Sequence, residues 1–248
     1  MLSPRRIEAQ KRARKIALTG LTLAVLGAAA PGLAESPAAA PAQADGACAE
    51  SAASEMAQRV QDRYDGIRDL AAEFEQQSQS ASFAGAPLMD ADVKKGHVIF
   101  SKPGKMKWVY AAPDESVVVS DGSALWIHDV EGESATRLEV TQGYLSGAAV
   151  QFLLGDGKIL EEFSVAAVAC EGEQITLDLL PKQDATYERL GLVADRETAE
   201  IRETSLTDLF GNRTVIRFLD MQTNQSPAAE TFVFTPPEGV EVIDYSGG

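Results

Sequence analysis

The chain has 248 residues, 45% of them hydrophobic, and a formal net charge of −15. This length suits one domain with extensions, and the composition supports a sizeable core. The acidic balance argues against a nucleic-acid-binding protein, because that affinity comes from Lys and Arg side chains that neutralise phosphates. It also disfavours electrostatic docking on an anionic membrane surface.

The first 34 residues have the pattern of an export signal. Six basic residues, the last of them Lys15, precede an apolar run over residues 16–30. That run is short for a membrane span, although an uncleaved membrane anchor is the alternative interpretation. Small residues at Gly32 and Ala34 predict cleavage after Ala34. Cleavage removes six of the 22 basic residues and one of the 37 acidic residues, so the mature chain carries a net charge of −20.

Residues 35–48 are rich in alanine and proline and contain no large apolar side chain. Such a segment buries too little surface to offset the entropy lost on ordering, so we expect it to be flexible. The folded domain is expected over residues 49–245. The chain has two cysteines, Cys48 and Cys170. An even number in an exported chain predicts one disulfide, and two free buried thiols are the alternative.

The folded domain begins with a helical pattern and continues with strands. Apolar residues at spacings of three and four predict a helix over 51–68, with Ser51 as its N-cap: Ala52, Met56, Val60, Tyr64 and Ile67. Turn signals separate short strands over 70–79, 96–101, 135–140, 162–169, 174–180, 187–194, 199–207, 213–220 and 230–235. This regular spacing predicts an antiparallel sheet or barrel and argues against βαβ units.

Residues 100–126 form a predicted meander of three strands with unusually large apolar side chains. Its turn signals are Lys102–Pro103–Gly104, Pro113–Asp114–Glu115 and Asp121–Gly122. Along the middle strand, Met106, Trp108 and Tyr110 alternate and therefore share one face of the sheet. So much apolar surface needs a cover, which either protein or a ligand supplies.

Residues 141–155 are apolar, uncharged and glycine-bounded, and Leu145, Ala149 and Phe152 share a helical face. One interpretation is an ordinary helix that packs on the core. The other is a hinged apolar lid over the β face, because glycines at both ends permit movement.

The sequence contains no convincing catalytic constellation. His97 and His128 are the only histidines, which excludes a zinc site with three or more histidine ligands. It has neither a Gly-x-Ser-x-Gly elbow nor a phosphate-binding glycine loop. We therefore predict a protein that is not an enzyme and that uses no cofactor and no metal.

Five short stretches follow one another in a specific order: Lys102–Pro103, Pro113–Asp114–Glu115–Ser116, Val119–Ser120–Asp121–Gly122, Leu125–Trp126 and the C-terminal run from Phe232 to Val240. In this order they resemble the LolA family, the periplasmic carriers of bacterial lipoproteins. The likeness spans residues 50–243. Lys102 is a departure, because the family often has arginine there.

The resemblance implies a mainly β (α+β) fold: an incompletely closed antiparallel β-barrel of about 11 strands, with helices as a lid over an apolar cavity. It implies that acyl chains bind in this cavity, whose predicted lining is Phe74, Phe100, Met106, Trp108, Trp126 and Phe152. Lys102 matches the basic residue that ties the lid shut in the ligand-free form. A closed, dry core is the alternative for this aromatic set, which also contains Phe232 and Phe234, and the residues alone leave both open.

The same resemblance implies a function in the periplasm of a Gram-negative bacterium. There a monomer would accept triacylated lipoproteins from an inner-membrane Lol-type ABC transporter and deliver them to an outer-membrane acceptor. Because a scaffold does not fix function, a lipoprotein-sensing or lipid-binding module on the same half-barrel is an alternative. A lipid-active enzyme is a weaker alternative, since no nucleophile motif is present.

Overall fold

The computed structural model describes residues 48, 51–81, 92–140 and 157–245. Within these ranges the helices are α1 (Ala52–Asp65) and α2 (Ile159–Glu162), and one 3₁₀ turn covers Ala229–Phe232. The strands are β1 (Asp69–Gln79), β2 (Val93–Ser101), β3 (Lys105–Tyr110), β4 (Ser116–Asp121), β5 (Ala124–Asp129), β6 (Ser134–Glu139), β7 (Phe163–Glu171), β8 (Gln174–Pro181), β9 (Tyr187–Asp195), β10 (Ile201–Asp208), β11 (Arg213–Thr223) and β12 (Glu241–Asp244). None of the helices in these ranges is long and apolar enough to cross a membrane.

Helix α1 forms where the apolar spacing predicts it. Its buried side carries Met56, Val60 and Tyr64, which join the main core of the sheet. Ser51 precedes the helix but makes no side-chain capping hydrogen bond, so the expected N-cap contact is not observed. The helix is therefore held mainly by the packing of its apolar face, as is usual for a helix of this length.

The twelve strands form one sheet in the order β12-β6-β5-β4-β3-β2-β1-β11-β10-β9-β8-β7. Neighbouring strands are antiparallel except β12, which runs parallel to β6. In the described part of the chain, β12 and β7 lie at opposite ends of this order and do not pair with each other. The sheet is thus not closed, which confirms the incompletely closed barrel, with twelve strands rather than about 11.

The strand register assigns each side chain to one of two faces, because directly opposed residues in neighbouring strands lie on the same face. One row of opposed residues consists of Leu70, Phe100, Met106, Ser120, Leu125 and Leu138. Its apolar members pack in the same core as the buried side of α1. We call this face the inner face and the opposite one the outer face.

The C-terminal residues differ from the expectation of a strand over 230–235. Local hydrogen bonds form a 3₁₀ turn instead, with Val233 N–H donating to the Glu230 carbonyl at 3.1 Å. Phe232 is buried, and the Phe234 ring lies 5.4 Å from the ring of Trp126. The apolar spacing of two in this segment therefore reflects packing against neighbouring side chains rather than pairing in a ladder.

The structure joins Cys48 to Cys170 through a disulfide, with Cα atoms 5.5 Å apart. Cys170 lies in β7, so the bond attaches the segment before α1 to the end strand of the sheet.

We expect exported protein, denatured without reductant, to show no free thiol on titration. Reduction should lower the free energy of unfolding by up to ~4–5 kcal/mol, because the bond closes a long loop in the unfolded chain. Urea unfolding with and without reductant measures this difference. A Cys48→Ser, Cys170→Ser double variant is the matched control, since reductant should not change its stability. Two titratable thiols in the exported protein would contradict the assignment.

Candidate functional site

The structure brings four of the predicted site residues together on the inner face: Phe74, Phe100, Met106 and Trp108. Their exposed fractions are 1%, 1%, 5% and 6%. The Trp108 ring lies 4.7 Å from the Phe74 ring and 5.6 Å from the Phe100 ring, edge to face in both cases. We call these four residues the aromatic cluster. Aromatic pairs at such distances add stabilisation beyond the area they bury.

Gly96 makes this arrangement possible. It lies in β2 directly between Phe74 in β1 and Tyr110 in β3. Because glycine has no side chain, the Phe74 and Tyr110 rings meet with their centroids 5.1 Å apart. A Cβ atom at Gly96 would lie 2.8 Å from Cζ of Phe74 and 2.0 Å from the carbonyl oxygen of Val109. Any larger residue would therefore displace both the cluster and strand β3.

Trp126 does not belong to the cluster, so the expectation that it shares the cavity lining is wrong. It is opposed to Val119 in β4, and Val119 is opposed to Lys107 in β3. Lys107 alternates with Met106 and Trp108, so Trp126 lies on the outer face. There its ring contacts Phe234 and the guanidinium of Arg137, which lies 5.9 Å from the ring centroid.

Phe152 and the expected lid helix over 141–155 lie outside the described residues.

Lys102, in the turn between β2 and β3, connects this part of the sheet to α1. Its ammonium group donates a hydrogen bond of 2.5 Å to the main-chain carbonyl of Tyr64, in the last turn of α1. The Lys102 main-chain N–H also donates to the Arg68 carbonyl at 2.8 Å. Carbonyls at a helix C-terminus carry partial negative charge, which favours a cation there.

Arginine side chains attach α1 to the turn between β9 and β10. Arg59 donates to the main-chain carbonyls of Arg196 and Glu197 at 2.7 and 2.6 Å. Arg63 forms an ion pair of 3.0 Å with Glu200. These partners are more than 130 residues away in the sequence, and no local pattern announces main-chain acceptors. Sequence reasoning therefore missed these contacts.

Tyr64 fixes the same helix from within the core. Its hydroxyl accepts a hydrogen bond of 3.1 Å from the Ile201 N–H. Burial raises the pKa of Tyr64 to about 12, so the hydroxyl stays neutral at ordinary pH. The Tyr64 side chain thus binds α1 to β10, and the Tyr64 main-chain carbonyl binds it to the β2–β3 turn.

The family model described as outer membrane lipoprotein carrier protein LolA matches residues 65–235. The chain belongs to the LolA family. The matched range contains the whole aromatic cluster and Lys102, and it leaves most of α1 and all of β12 outside.

Curated relatives of the chain bear the name outer-membrane lipoprotein carrier protein. One from Cupriavidus taiwanensis is 31% identical over 179 residues, which is 72% of this chain and 82% of that protein. One from Dechloromonas aromatica is 35% identical over 150 residues, or 60% and 70% of the two chains. A solved LolA superfamily protein from Nitrosomonas europaea aligns with a TM-score of 0.39 at 13% identity, covering 72% of this chain and 97% of that one.

Neither histidine of this LolA family member lies at a metal site in the structure. His97 pairs with Glu73 at 3.2 Å on the outer face, and the His128 ring packs 5.4 Å from that of Phe234. Across residues 48, 51–81, 92–140 and 157–245, no group of three or more His, Cys, Asp or Glu side chains is arranged to hold a metal ion. Both histidines have ordinary polar or packing contacts.

Proposed function

We propose that this chain is a periplasmic carrier that binds the acyl chains of lipoproteins and delivers them to an outer-membrane acceptor. The observation that carries the proposal is an aromatic cluster on the inner face of an unclosed sheet, in a chain that belongs to the LolA family. Relatives of this chain are named for the same activity.

The proposal rests on a simple physical requirement. Each acyl methylene exposed to water costs about 0.8 kcal/mol, so a lipoprotein that crosses an aqueous space needs an apolar cover. In the structure Phe74, Phe100, Met106 and Trp108 cover one another. Acyl chains would take the place of these contacts when α1 moves away from the sheet. Phe152 is proposed to complete the lining.

Residues 1–34 are the signal peptide, 35–48 a flexible segment and 49–245 the carrier domain, located in the periplasm of a Gram-negative bacterium. The cargo is a triacylated lipoprotein that an inner-membrane Lol-type ABC transporter supplies, and the carrier acts as a monomer with no catalytic step. The acidic surface keeps it off anionic lipid during transit.

A release assay tests the proposal. Vesicles that contain the transporter and a labelled triacylated lipoprotein are incubated with ATP and the mature chain. We expect the label to become soluble as a one-to-one complex with the carrier, from which outer-membrane vesicles then remove it. Label that stays with the donor vesicles would contradict the carrier function. Release of free fatty acid would indicate a lipid-active enzyme instead.

Lys102 is proposed to act as the latch that holds α1 against the sheet. Lys102→Ala removes the hydrogen bond to the Tyr64 carbonyl, so α1 should leave the sheet more readily. A charge-assisted hydrogen bond contributes about 1.5–3 kcal/mol, which corresponds to a change of roughly ten-fold or more in the ratio of open to closed forms. We expect an unchanged fold and slower transfer of cargo to the acceptor, because the closed form no longer competes with bound acyl chains.

The matched control is Lys107→Ala, which removes the same charge from the outer face of the adjacent strand. It should transfer cargo like the wild type. Lys102→Arg, which keeps a charged donor at this position, should also transfer cargo like the wild type. Equal transfer rates for Lys102→Ala and the wild type would reject the latch role.

A further inference from the structure

The inner face changes character along the strands. At the end that contains the β2–β3 turn, which we call the latch end, the row of Leu70, Phe100, Met106, Leu125 and Leu138 is at most 7% exposed. The one polar member of this row, Ser120, is buried and already bonded to the Gly104 carbonyl and the Gly122 N–H, both at 3.1 Å. The latch end therefore presents hydrocarbon to any occupant of the inner face.

The opposite end, which contains the β3–β4 turn, we call the rim end. Here the inner positions of β1–β6 are polar and partly or fully exposed: Gln76, Lys94, Tyr110, Ser116, Asp129 and Ser134. The change from apolar to polar takes place within two residues in β3, between Trp108 and Tyr110, and in β1, between Phe74 and Gln76. In strands β1–β6 the inner face thus has an apolar end and a polar end, whereas β8 and β9 carry the buried Leu179 and Leu190 at the same level.

Tyr110 and Gln76 meet where the two ends adjoin. The Tyr110 hydroxyl donates a hydrogen bond of 2.9 Å to Oε1 of Gln76. The Tyr110 ring stacks on Trp108, with centroids 6.3 Å apart and an interplanar angle of 18°, and it lies edge to face with Phe74. Two polar groups are therefore fixed at the border of the aromatic cluster by rings of the cluster itself. Burial also raises the pKa of Tyr110, so its hydroxyl remains a donor.

We propose that Tyr110 and Gln76 bind the carbonyl groups at the polar end of the acyl chains, and that the methyl ends of the chains point to the latch end. This inference rests on the proposed carrier function and adds the direction of the cargo to it. The lipoprotein polypeptide then leaves the carrier at the rim end, beside Lys94 and Ser116.

The chemistry of the cargo requires such a pair. The ester and amide carbonyls of an acylated cysteine are hydrogen-bond acceptors, and a carbonyl buried without a donor costs free energy. The Tyr110 hydroxyl and the Gln76 NH₂ group are donors, and the existing bond uses only the oxygen of the Gln76 amide. An ester carbonyl can therefore accept from the Gln76 NH₂ while the Tyr110–Gln76 bond persists, or accept directly from Tyr110.

Binding of two probes by Tyr110→Phe tests the inference. One probe is a synthetic peptide with an N-terminal dipalmitoylglyceryl-cysteine, and the other is N-phenyl-1-naphthylamine, which is apolar and has no carbonyl. Tyr110→Phe keeps the ring that packs on Trp108, so we expect it to bind the lipopeptide about five- to ten-fold more weakly. Binding of the naphthylamine should stay within about two-fold of wild type, because its affinity comes from apolar contact. Gln76→Leu should behave in the same way.

Tyr245→Phe removes an exposed hydroxyl at the end of β12 and should change neither affinity. Equal weakening of both probes by Tyr110→Phe, or no weakening of the lipopeptide, would overturn the inference and leave the carrier function standing. Wild-type protein that binds neither probe would overturn the carrier function and this inference together.

The direction of the chains has a separate readout. The chain has two tryptophans. Trp126 lies on the outer face, so Trp126→Phe leaves Trp108, in the proposed lipid site, as the only tryptophan of the chain. Lipopeptides brominated near the carbonyl should quench Trp108 fluorescence more than those brominated at the methyl end, because Trp108 adjoins Tyr110. Stronger quenching by bromine at the methyl end would show the reverse orientation and reject the assignment.

Discussion

Gly96→Ala is expected to destabilise the protein by about 3 kcal/mol or more, which is a large share of the stability of a typical domain. The added Cβ would lie 2.0 Å from the Val109 carbonyl oxygen, a main-chain atom in the paired strand β3. It would also meet the Phe74 ring at 2.8 Å. Neither contact can be relieved by rotating one side chain, so the β2–β3 ladder or the aromatic cluster must shift.

Thermal and urea unfolding of the purified variant measure this loss, and circular dichroism reports whether the fold survives. Gly66→Ala is the matched control. Gly66 has φ of −78°, and its nearest neighbour atom is an ordinary 3.5 Å from the added Cβ, so alanine should be neutral or slightly stabilising there. A Gly96→Ala protein as stable as Gly66→Ala would show that the close packing of Phe74 on β2 is not needed.

Met106→Glu is expected to give a folded protein that no longer takes up acyl chains. Met106 lies in the aromatic cluster with 5% of its surface exposed, and a carboxylate sealed there would cost several kcal/mol. If this face opens to admit cargo, water reaches the carboxylate in the open form and limits that cost. The charge then occupies the place of methylenes, so binding of lipoprotein and of an apolar fluorescent probe should fall below detection.

Val93→Glu places the same carboxylate on the outer face of β2, where Val93 is 43% exposed. It should fold and bind cargo normally. Circular dichroism and probe titration of both variants separate the possibilities. An unfolded Met106→Glu protein would indicate a permanently closed core, and a folded one with normal binding would show that lipid binds elsewhere.

The alternation of side chains within one strand was predictable from the sequence, but the register between paired strands was not. A period of two assigns Met106, Trp108 and Tyr110 to one face without knowledge of the partners. Trp126 lies two strands further on, in β5, so its face depends on the registers of both the β3–β4 and the β4–β5 pairs. A shift of one residue moves a whole strand to the other face, so an aromatic residue by itself does not reveal its side.

Two further contacts could not be predicted, because the residues that make them have no distinctive sequence pattern. β12 is short and exposed along its length, and its partner β6 is about a hundred residues earlier, so no alternation of buried and exposed residues indicates it. The resemblance to the LolA family predicted the donor of the latch, Lys102. Its acceptor, the main-chain carbonyl of Tyr64, has no sequence signal, because every residue has a carbonyl.

Native mass spectrometry of the protein purified from periplasm, without detergent, shows whether the chain carries a lipoprotein. We expect a population with the mass of the mature chain plus one triacylated lipoprotein, and Met106→Glu should lack it. The mature chain should also begin after Ala34. Periplasmic protein that carries no acylated cargo, even when transfer to the outer-membrane acceptor is blocked, would contradict the carrier function.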